Sequence, residues 1–276
     1  VDAARQITEY ILDRRKGGIE CNEEGAIYRL FHEVNSLVAI ADAHADSERR
    51  AKEFLRDTVS DISHQLKTPI AALNIYNGIL QQEADNADTV RKFAGLSEQE
   101  LDRLESLVQS LLKMARLDVG AITLEQSPEN LSELLGQIKG QYSFRAGQEG
   151  KELVLAGDER SVLLCDRIWL TEAIGNLVKN ALDHTTQGDR IQIRWQQSPC
   201  LTTIAVEDSG SGIHPEDLYH IFKRFYRSRF SKDTQGVGLG LPLAKSIIEA
   251  HQGSIEVYSE PGHGTTFTIC FPIMTK

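Results

Sequence analysis

His64 is the residue with the clearest chemical opportunity. It stands two positions from both Ile62 and Leu66, about 200° around a helix of 3.6 residues per turn. Those two belong to an apolar seam of Leu55, Val59, Ile62, Leu66, Ile70 and Leu73, so the imidazole projects outward, where a ring nitrogen is available as a nucleophile. Pro69 follows on the same segment. In a helix interior a proline removes the bond to the carbonyl four residues back, here Gln65, kinks the axis and costs about 3 kcal/mol, a poor choice for packing alone. Thr68 shares the His64 face one turn on.

A second set of residues suits a polyphosphate. Asn176 and Asn180 lie one turn apart on a helical segment; a neutral amide oxygen suits Mg²⁺ that already neutralises phosphates, because that ion takes oxygen ligands and keeps several waters. Asp208-Ser209-Gly210-Ser211-Gly212-Ile213 follows a strand. A strand-end carboxylate can accept the exocyclic amine of adenine, and glycines let the backbone approach the base. Gly236-Val237-Gly238-Leu239-Gly240-Leu241 opens a helix, where clustered backbone N–H groups favour phosphate. A dinucleotide reading of those glycines fails, because no strand immediately precedes them and no ribose-binding acid sits at the right distance. In Ile221-Phe222-Lys223-Arg224-Phe225-Tyr226-Arg227 the phenylalanines suit a core, whereas Arg227 is a planar, permanently charged donor matched to phosphate oxygens.

Positioning these groups needs two kinds of scaffold. Residues 53–118 read as a helical hairpin: the seam around His64, a polar connection Asp85-Asn86-Ala87-Asp88, then Leu101, Leu104, Val108, Leu111 and Ala115 flanked by Leu107, Leu112 and Met114. Two helices bury too little alone, so pairing with a second copy as a four-helix bundle is expected. From about residue 122 strands and helices alternate. Strands are expected at 122–125, 152–155, 161–165, 191–196, 202–207, 254–259 and 265–271, and helices at 131–148, 167–184, 215–222 and 239–251, an α+β sandwich with helices on one face of a mixed sheet. Residues 228–236 read as a mobile lid. Residues 1–52 read as two helices around a Gly-rich break.

The 276 residues suffice for two domains. A formal net charge of −10 argues against a nucleic-acid surface. The four cysteines, Cys21, Cys165, Cys200 and Cys270, form no CxxC pair and read as reduced thiols of a cytosolic protein. No apolar run reaches about 18 residues, and the chain opens on Val1 without an initiator Met, which reads as a fragment.

Ser63-His64-Gln65-Leu66-Lys67-Thr68-Pro69 resembles the H-box of bacterial two-component sensor histidine kinases. Asn176–His184, Asp208–Ile213, Ile221–Arg227, Gly236–Leu241 and Gly264-Thr265-Thr266-Phe267 together resemble the Bergerat-type ATP fold shared by histidine kinases, type II topoisomerases, Hsp90 and MutL. The resemblance covers residues 53–276. It implies a multi-domain chain: an α-helical hairpin forming a dimeric four-helix bundle (53–118), then an α+β sandwich ATP-binding domain (119–276). Residues 1–52 resemble a HAMP-type linker, with any juxtamembrane coiled coil an equal alternative. The implied activity is Mg²⁺-ATP-dependent phosphorylation of His64, transfer to a response-regulator aspartate, and regulator dephosphorylation. The implied catalytic residues are His64, Gln65, Thr68, which positions water in that dephosphorylation, and Arg227. The implied ATP-binding residues are Asn176, Asn180 (also the Mg²⁺ ligand), Asp183, His184, Asp208, Gly210, Gly212, Ile213, Tyr226, Arg227, Gly236, Val237, Gly238, Leu239, Gly240, Leu241 and Thr265. The implied partners are a second copy and a receiver domain, not nucleic acid, on the cytoplasmic side of a membrane reached through a segment absent from this chain.

Three positions depart from the common pattern. Asp183 and His184 stand where relatives often carry a basic residue and a tyrosine, and Gln65 stands where many carry Asp or Glu. The Gln65 amide can accept the imidazole N–H but cannot take its proton; a subset of histidine kinases does read HQLKTP. ATPases of this fold place Glu four residues before the metal-binding Asn to activate water, whereas this chain has Asn176 there, and an amide cannot act as a general base. That favours a kinase over an ATP-driven clamp, and the intact glycines, Asn180 and Asp208 disfavour an inactive scaffold. Replacing Gln65→Glu should raise the single-turnover autophosphorylation rate about tenfold without changing ATP affinity, since a carboxylate meets the charge building on the ring. Rapid-quench measurement checks this; a level or falling rate contradicts it.

Overall fold

The computed structural model describes residues 26–118, 123–228 and 237–273. The expected helix and break before residue 26, Gly236 and all but the first residue of the 228–236 segment lie outside them. The chain divides between His64 and Gln65 into two units. Up to His64 the described chain is helical, the first part of α1 (Ala26–Gln82). Leu37, Ile40, Leu55 and Val59 are exposed along it, and Arg49–Asp46 and Lys52–Glu48 pair on its surface. The helix passes residue 52 unbroken, because three- and four-residue apolar spacing continues there without Gly or Pro.

In the second unit α1 continues through a buried Pro69 and ends at Gln82. Residues 83–86 turn the chain into α2 (Ala87–Asp118). Asn86 starts that helix by accepting the Thr89 N–H at 3.2 Å, satisfying a donor that the first turn leaves unpaired. Tyr76 and Phe93 pack ring to ring, 5.6 Å between centroids. The apolar residues of α2 form two faces where the sequence suggested one seam. Leu107 and Met114, seven apart, are buried in the core of the domain that follows, while Leu101, Val108 and Leu112 are exposed.

That domain carries a two-stranded antiparallel ribbon, β1 (Ser127–Asn130) with β3 (Val162–Cys165). Its main sheet has five strands: β2 (Glu152–Gly157), β4 (Arg190–Gln197), β5 (Leu201–Asp208), β6 (Ser254–Glu260) and β7 (Gly264–Pro272), in the order β2-β4-β5-β7-β6. Only β2 and β4 run parallel. Helices α3 (Leu131–Gln148), α4 (Arg167–Asp183) and α6 (Gly240–Ala250) supply the apolar layer. Alternation along β5 buries Thr202, Ile204, Val206 and Asp208 and turns Thr203, Ala205 and Glu207 the other way, the signature of a sheet covered on one face. Asn130 caps α3 through the Glu133 N–H. Asp166 caps α4 through Ile168 and Trp169 and also accepts the Glu125 N–H at 3.0 Å.

Two expected elements shift. Of the strand expected at 122–125, residue 122 lies outside the described residues and 123–125 are not strand; the strand lies at Ser127–Asn130, where pairing with β3 decides its position. The helix expected at 215–222 is α5 (Pro215–Leu218) followed by turns. The chain must swing back there to bring the Phe225 N–H to the Gly238 carbonyl at 2.9 Å, with Phe225 at φ 60°.

One contact fixes how closely β5 and β7 meet. Gly264 has φ +95°, and a Cβ there would stand 1.9 Å from the Asp208 carbonyl. Gly264→Ala should therefore cost at least about 2 kcal/mol in urea unfolding of the chain; an unchanged midpoint would contradict that geometry.

Candidate active site

The C-terminal ends of α4 and β5, the start of α6 and the start of β7 converge on one set of side chains. Asp208 ends β5 with only 5% of its surface exposed. Its Oδ1 accepts the Gly210 N–H at 2.9 Å, and the Thr265 backbone N–H also bonds the carboxylate. Burial outweighs both and raises the carboxyl above its ordinary value of 3.8. Glycines surround it because nothing larger fits: a Cβ at Gly210 would lie 2.2 Å from the His184 carbonyl, and one at Gly212, at φ +69°, would lie 2.1 Å from the Glu260 carbonyl. The backbone of His184 caps α4 and accepts the Ser211 N–H at 3.2 Å.

Ser259 is the organising residue that the sequence reading missed. It accepts the Ile213 N–H at 2.8 Å and donates to the Gly264 carbonyl at 2.8 Å. Its oxygen lies 3.0 Å from Thr265 Oγ1, so the threonine hydroxyl donates to it and keeps its own lone pairs for another donor. A signal existed. The Pro261-Gly262-His263 turn folds β6 onto β7, and that hairpin sets Ser259 opposite Thr265.

On α4, Asn176 donates to the Glu172 carbonyl at 2.9 Å. Its Oδ1 lies 3.1 Å from the place a Cβ would occupy at Gly240, so a glycine is what lets the start of α6 close on this helix. One turn on, Asn180 is half-buried and its amide makes no hydrogen bond among the described residues. Leu239, buried, stands at the N-cap of α6 without a side-chain cap, leaving the donors of that helix start to a ligand or solvent. Val237 and Leu241 flank it, half-buried. Gly238 takes φ +76°, with room for no Cβ against the Tyr226 carbonyl.

Two residues expected at the nucleotide are committed elsewhere. Asp183 pairs with Arg145 of α3 at 2.7 Å; Arg145 also binds Glu149, and no local pattern links it to a residue 38 positions away. The Tyr226 hydroxyl donates to Asp217 at 2.5 Å. Phe222 packs edge-on to Phe267 at 6.3 Å, as a core role requires, and Arg227 is half-buried. His64 and Thr68 are exposed and Gln65 half-buried. Burial pushes the Cys165 thiol up to about 12, so it stays protonated, and Cys165, Cys200 and Cys270 are free.

The residues present fit an adenine nucleotide with Mg²⁺. Asp208 is a buried acceptor, Thr265 has free lone pairs, glycines form a cradle that any Cβ would fill, an uncapped helix start faces the same region, and Asn180 offers one neutral oxygen. Among the described residues no group of three His, Cys, Asp or Glu side chains could hold a metal.

A five-stranded mixed sheet with this cradle defines an ATP-binding domain, here preceded by a helical hairpin. Residues 165–275 match the histidine kinase-, DNA gyrase B-, and HSP90-like ATPase family, and residues 54–120 match the His Kinase A (phospho-acceptor) domain. The sensor-like histidine kinase SenX3 of Mycobacterium tuberculosis is 32% identical over 251 residues, 90% of this chain and 61% of the relative. The chain thus spans about three fifths of that relative's length. Histidine kinase ShkA, solved full-length with AMPPNP, superposes with a TM-score of 0.60 at 27% identity, covering 80% of this chain and 46% of that one. Histidine kinase ThkA, solved with the response regulator protein TrrA, gives 0.67 at 23% identity, covering 83% and 66%, a likeness of fold. The chain belongs to the two-component sensor histidine kinases. No helix among the described residues is long and apolar enough to cross a membrane.

Because burial raises the folded Asp208 carboxyl, its contribution to stability is full below the unfolded pKa and is lost as pH rises through the folded one. The difference in unfolding free energy, Asp208→Asn minus wild type, should therefore grow in the variant's favour as pH rises from about 4 and then level off. Denaturant titrations of both proteins across that range check it; a constant difference contradicts it.

Proposed function

We propose that this chain binds Mg²⁺-ATP between α4, α6 and the β5–β7 strand ends, phosphorylates His64, and passes the group to an aspartate of a response-regulator receiver domain. The observation that carries this reading is Asn176. In the position where a water-activating acid would serve hydrolysis it presents an amide, and that amide is spent on the Glu172 carbonyl. The carboxylate one turn earlier, Glu172, is ion-paired with Lys113 at 2.8 Å. Neither group is placed to take a proton from water, so the terminal phosphate is kept for the imidazole.

Asp208 and Thr265 receive the adenine edge, Gly210, Gly212 and Ile213 form its backbone wall, and His184 closes the end of α4. The N–H groups opening α6, at Gly238 to Leu241, hold phosphate. Asn176 and Asn180 lie beside it, with Asn180 on Mg²⁺, and Arg227 meets phosphate charge. ATP supplies the phosphoryl group, and Mg²⁺ neutralises charge on it. A nitrogen of His64 forms the new P–N bond as the P–O bond to ADP breaks, and the imidazole proton passes to solvent or a base while Gln65 orients the ring. Thr68 positions water in the reverse duty, regulator dephosphorylation. The exposed residues Leu55, Val59, Ile70, Leu101, Val108 and Leu112 are covered by a second copy in a four-helix bundle. Residues 1–52 act as a linker to a membrane segment, 53–118 as the phosphotransfer domain and 119–276 as the ATP domain. The nucleotide analogue on ShkA and the regulator on ThkA are what such a division of labour needs.

With γ-labelled ATP the chain should acquire acid-labile label. His64→Ala should abolish it while ATP affinity stays within about twofold, because the imidazole is remote in sequence from the cradle. Label that survives in the variant, or that resists acid, would overturn the reading.

A further inference from the structure

Asp217 has no place in the scheme above, yet it is the most deeply buried carboxylate described, 3% exposed. It lies on α5, a single turn begun by Pro215 and capped by His214. Its backbone carbonyl accepts the His220 and Ile221 N–H groups at 2.7 and 3.0 Å, which closes the turn leading to residues 222–227. Its Oδ1 accepts the Tyr226 hydroxyl at 2.5 Å, and the Ser228 hydroxyl bonds the same carboxylate. Tyr226 and Ser228 are the two neighbours of Arg227. One buried anion therefore grips the chain on both sides of the arginine.

The grip is reinforced. The Tyr226 ring packs on His220, 5.4 Å between centroids. Its backbone N–H reaches the Lys223 carbonyl at 3.2 Å, and Phe225, in the left-handed region at φ 60°, ties to Gly238 across the base of the glycine segment. A non-glycine residue at positive φ is strained and persists only where the surroundings over-determine it. Burial alone would push the Asp217 carboxyl up; the Ser228 and Tyr226 hydroxyls and the His214 and His220 imidazoles more than offset it, leaving it below the usual carboxylate range. It is a charged acceptor at neutral pH, and hydrogen bonds to a charged acceptor are roughly twice as strong as neutral ones.

We propose that Asp217 is a positioning residue for phosphoryl transfer: by holding Tyr226 and Ser228 it fixes the backbone from which Arg227 reaches the phosphates. The inference rests on the kinase reading and on the role of Arg227 within it. A guanidinium on a long side chain is effective only if its root is fixed, since misplacement by about 1 Å can cost 10²-fold in rate. Tyr226 thereby acts through Asp217, and its hydroxyl need not touch nucleotide at all.

The test is a double-mutant cycle on the full chain, reading ATP Kd and single-turnover autophosphorylation separately. Asp217→Asn and Tyr226→Phe should each lower the rate about tenfold with Kd within about threefold. In an Arg227→Ala background neither substitution should slow the reaction further, because the group they position is gone. Full additivity with Arg227→Ala, or an unchanged rate in Tyr226→Phe, overturns the proposal. So does a parallel loss of affinity, rate and thermal stability, which marks a merely structural role; Tyr226→Phe removes only one oxygen and keeps the test open should Asp217→Asn fold poorly. If Arg227→Ala alone leaves the rate intact, Asp217 has nothing to position and the proposal falls while the kinase reading stands; if wild type takes no label, that reading itself has failed.

Discussion

A carboxylate at the buried end of β5 sets the constraints on everything around it. Asp208 can be kept there only if backbone donors meet it, and two do, from Gly210 and Thr265. For those donors to come close, the turn after β5, the end of α4 and the start of β7 must approach to distances that no side chain tolerates. Hence glycine at 210, 212 and 264. Even with this help burial holds the carboxyl above its ordinary range, because taking a charge out of water is costly. The site is therefore built at the expense of stability, as functional sites commonly are.

Helix α2 carries two apolar faces with different surroundings. Leu107 and Met114 are buried in the ATP domain's core, and polar contacts mark the rim: Lys113 with Glu172 at 2.8 Å and Arg224 with Asp118 at 2.6 Å. These pairs are partly solvated, so each contributes about 1 kcal/mol or less; the apolar contact carries the association. Glu172 is also the residue whose carbonyl holds Asn176, so α2 meets the ATP domain one helical turn from the site. A second face of α2, with Leu101, Val108 and Leu112, is exposed.

Much of this was legible in the sequence because it depends on local signals. Helix α3 is legible to its first and last residue, since Asn130 is a strong cap and Gly150 follows its end. The five main strands are legible to within two residues at each end, because alternation is a local property. What stayed hidden depends on distant partners. Arg145 meets Asp183 only after α3 docks on α4, and Asp217 looks like an ordinary acidic residue in the first turn of a helix until Tyr226 returns to it. Leu107 and Met114 read only as flanking a seam, and the surface they cover stays hidden, because apolar periodicity says that a face is buried and not by what.

If Asp208 is the group that reads the base, the chain must discriminate at the purine 6-position. ATP presents an amine there, a donor to the carboxylate, whereas GTP presents a carbonyl, a second acceptor facing a buried anion. Equilibrium titration of the wild-type chain with both nucleotides in Mg²⁺ measures this directly. The account predicts ATP binding tighter than GTP by at least about a hundredfold, with the preference collapsing in Asp208→Asn. Comparable affinities for the two nucleotides would contradict it.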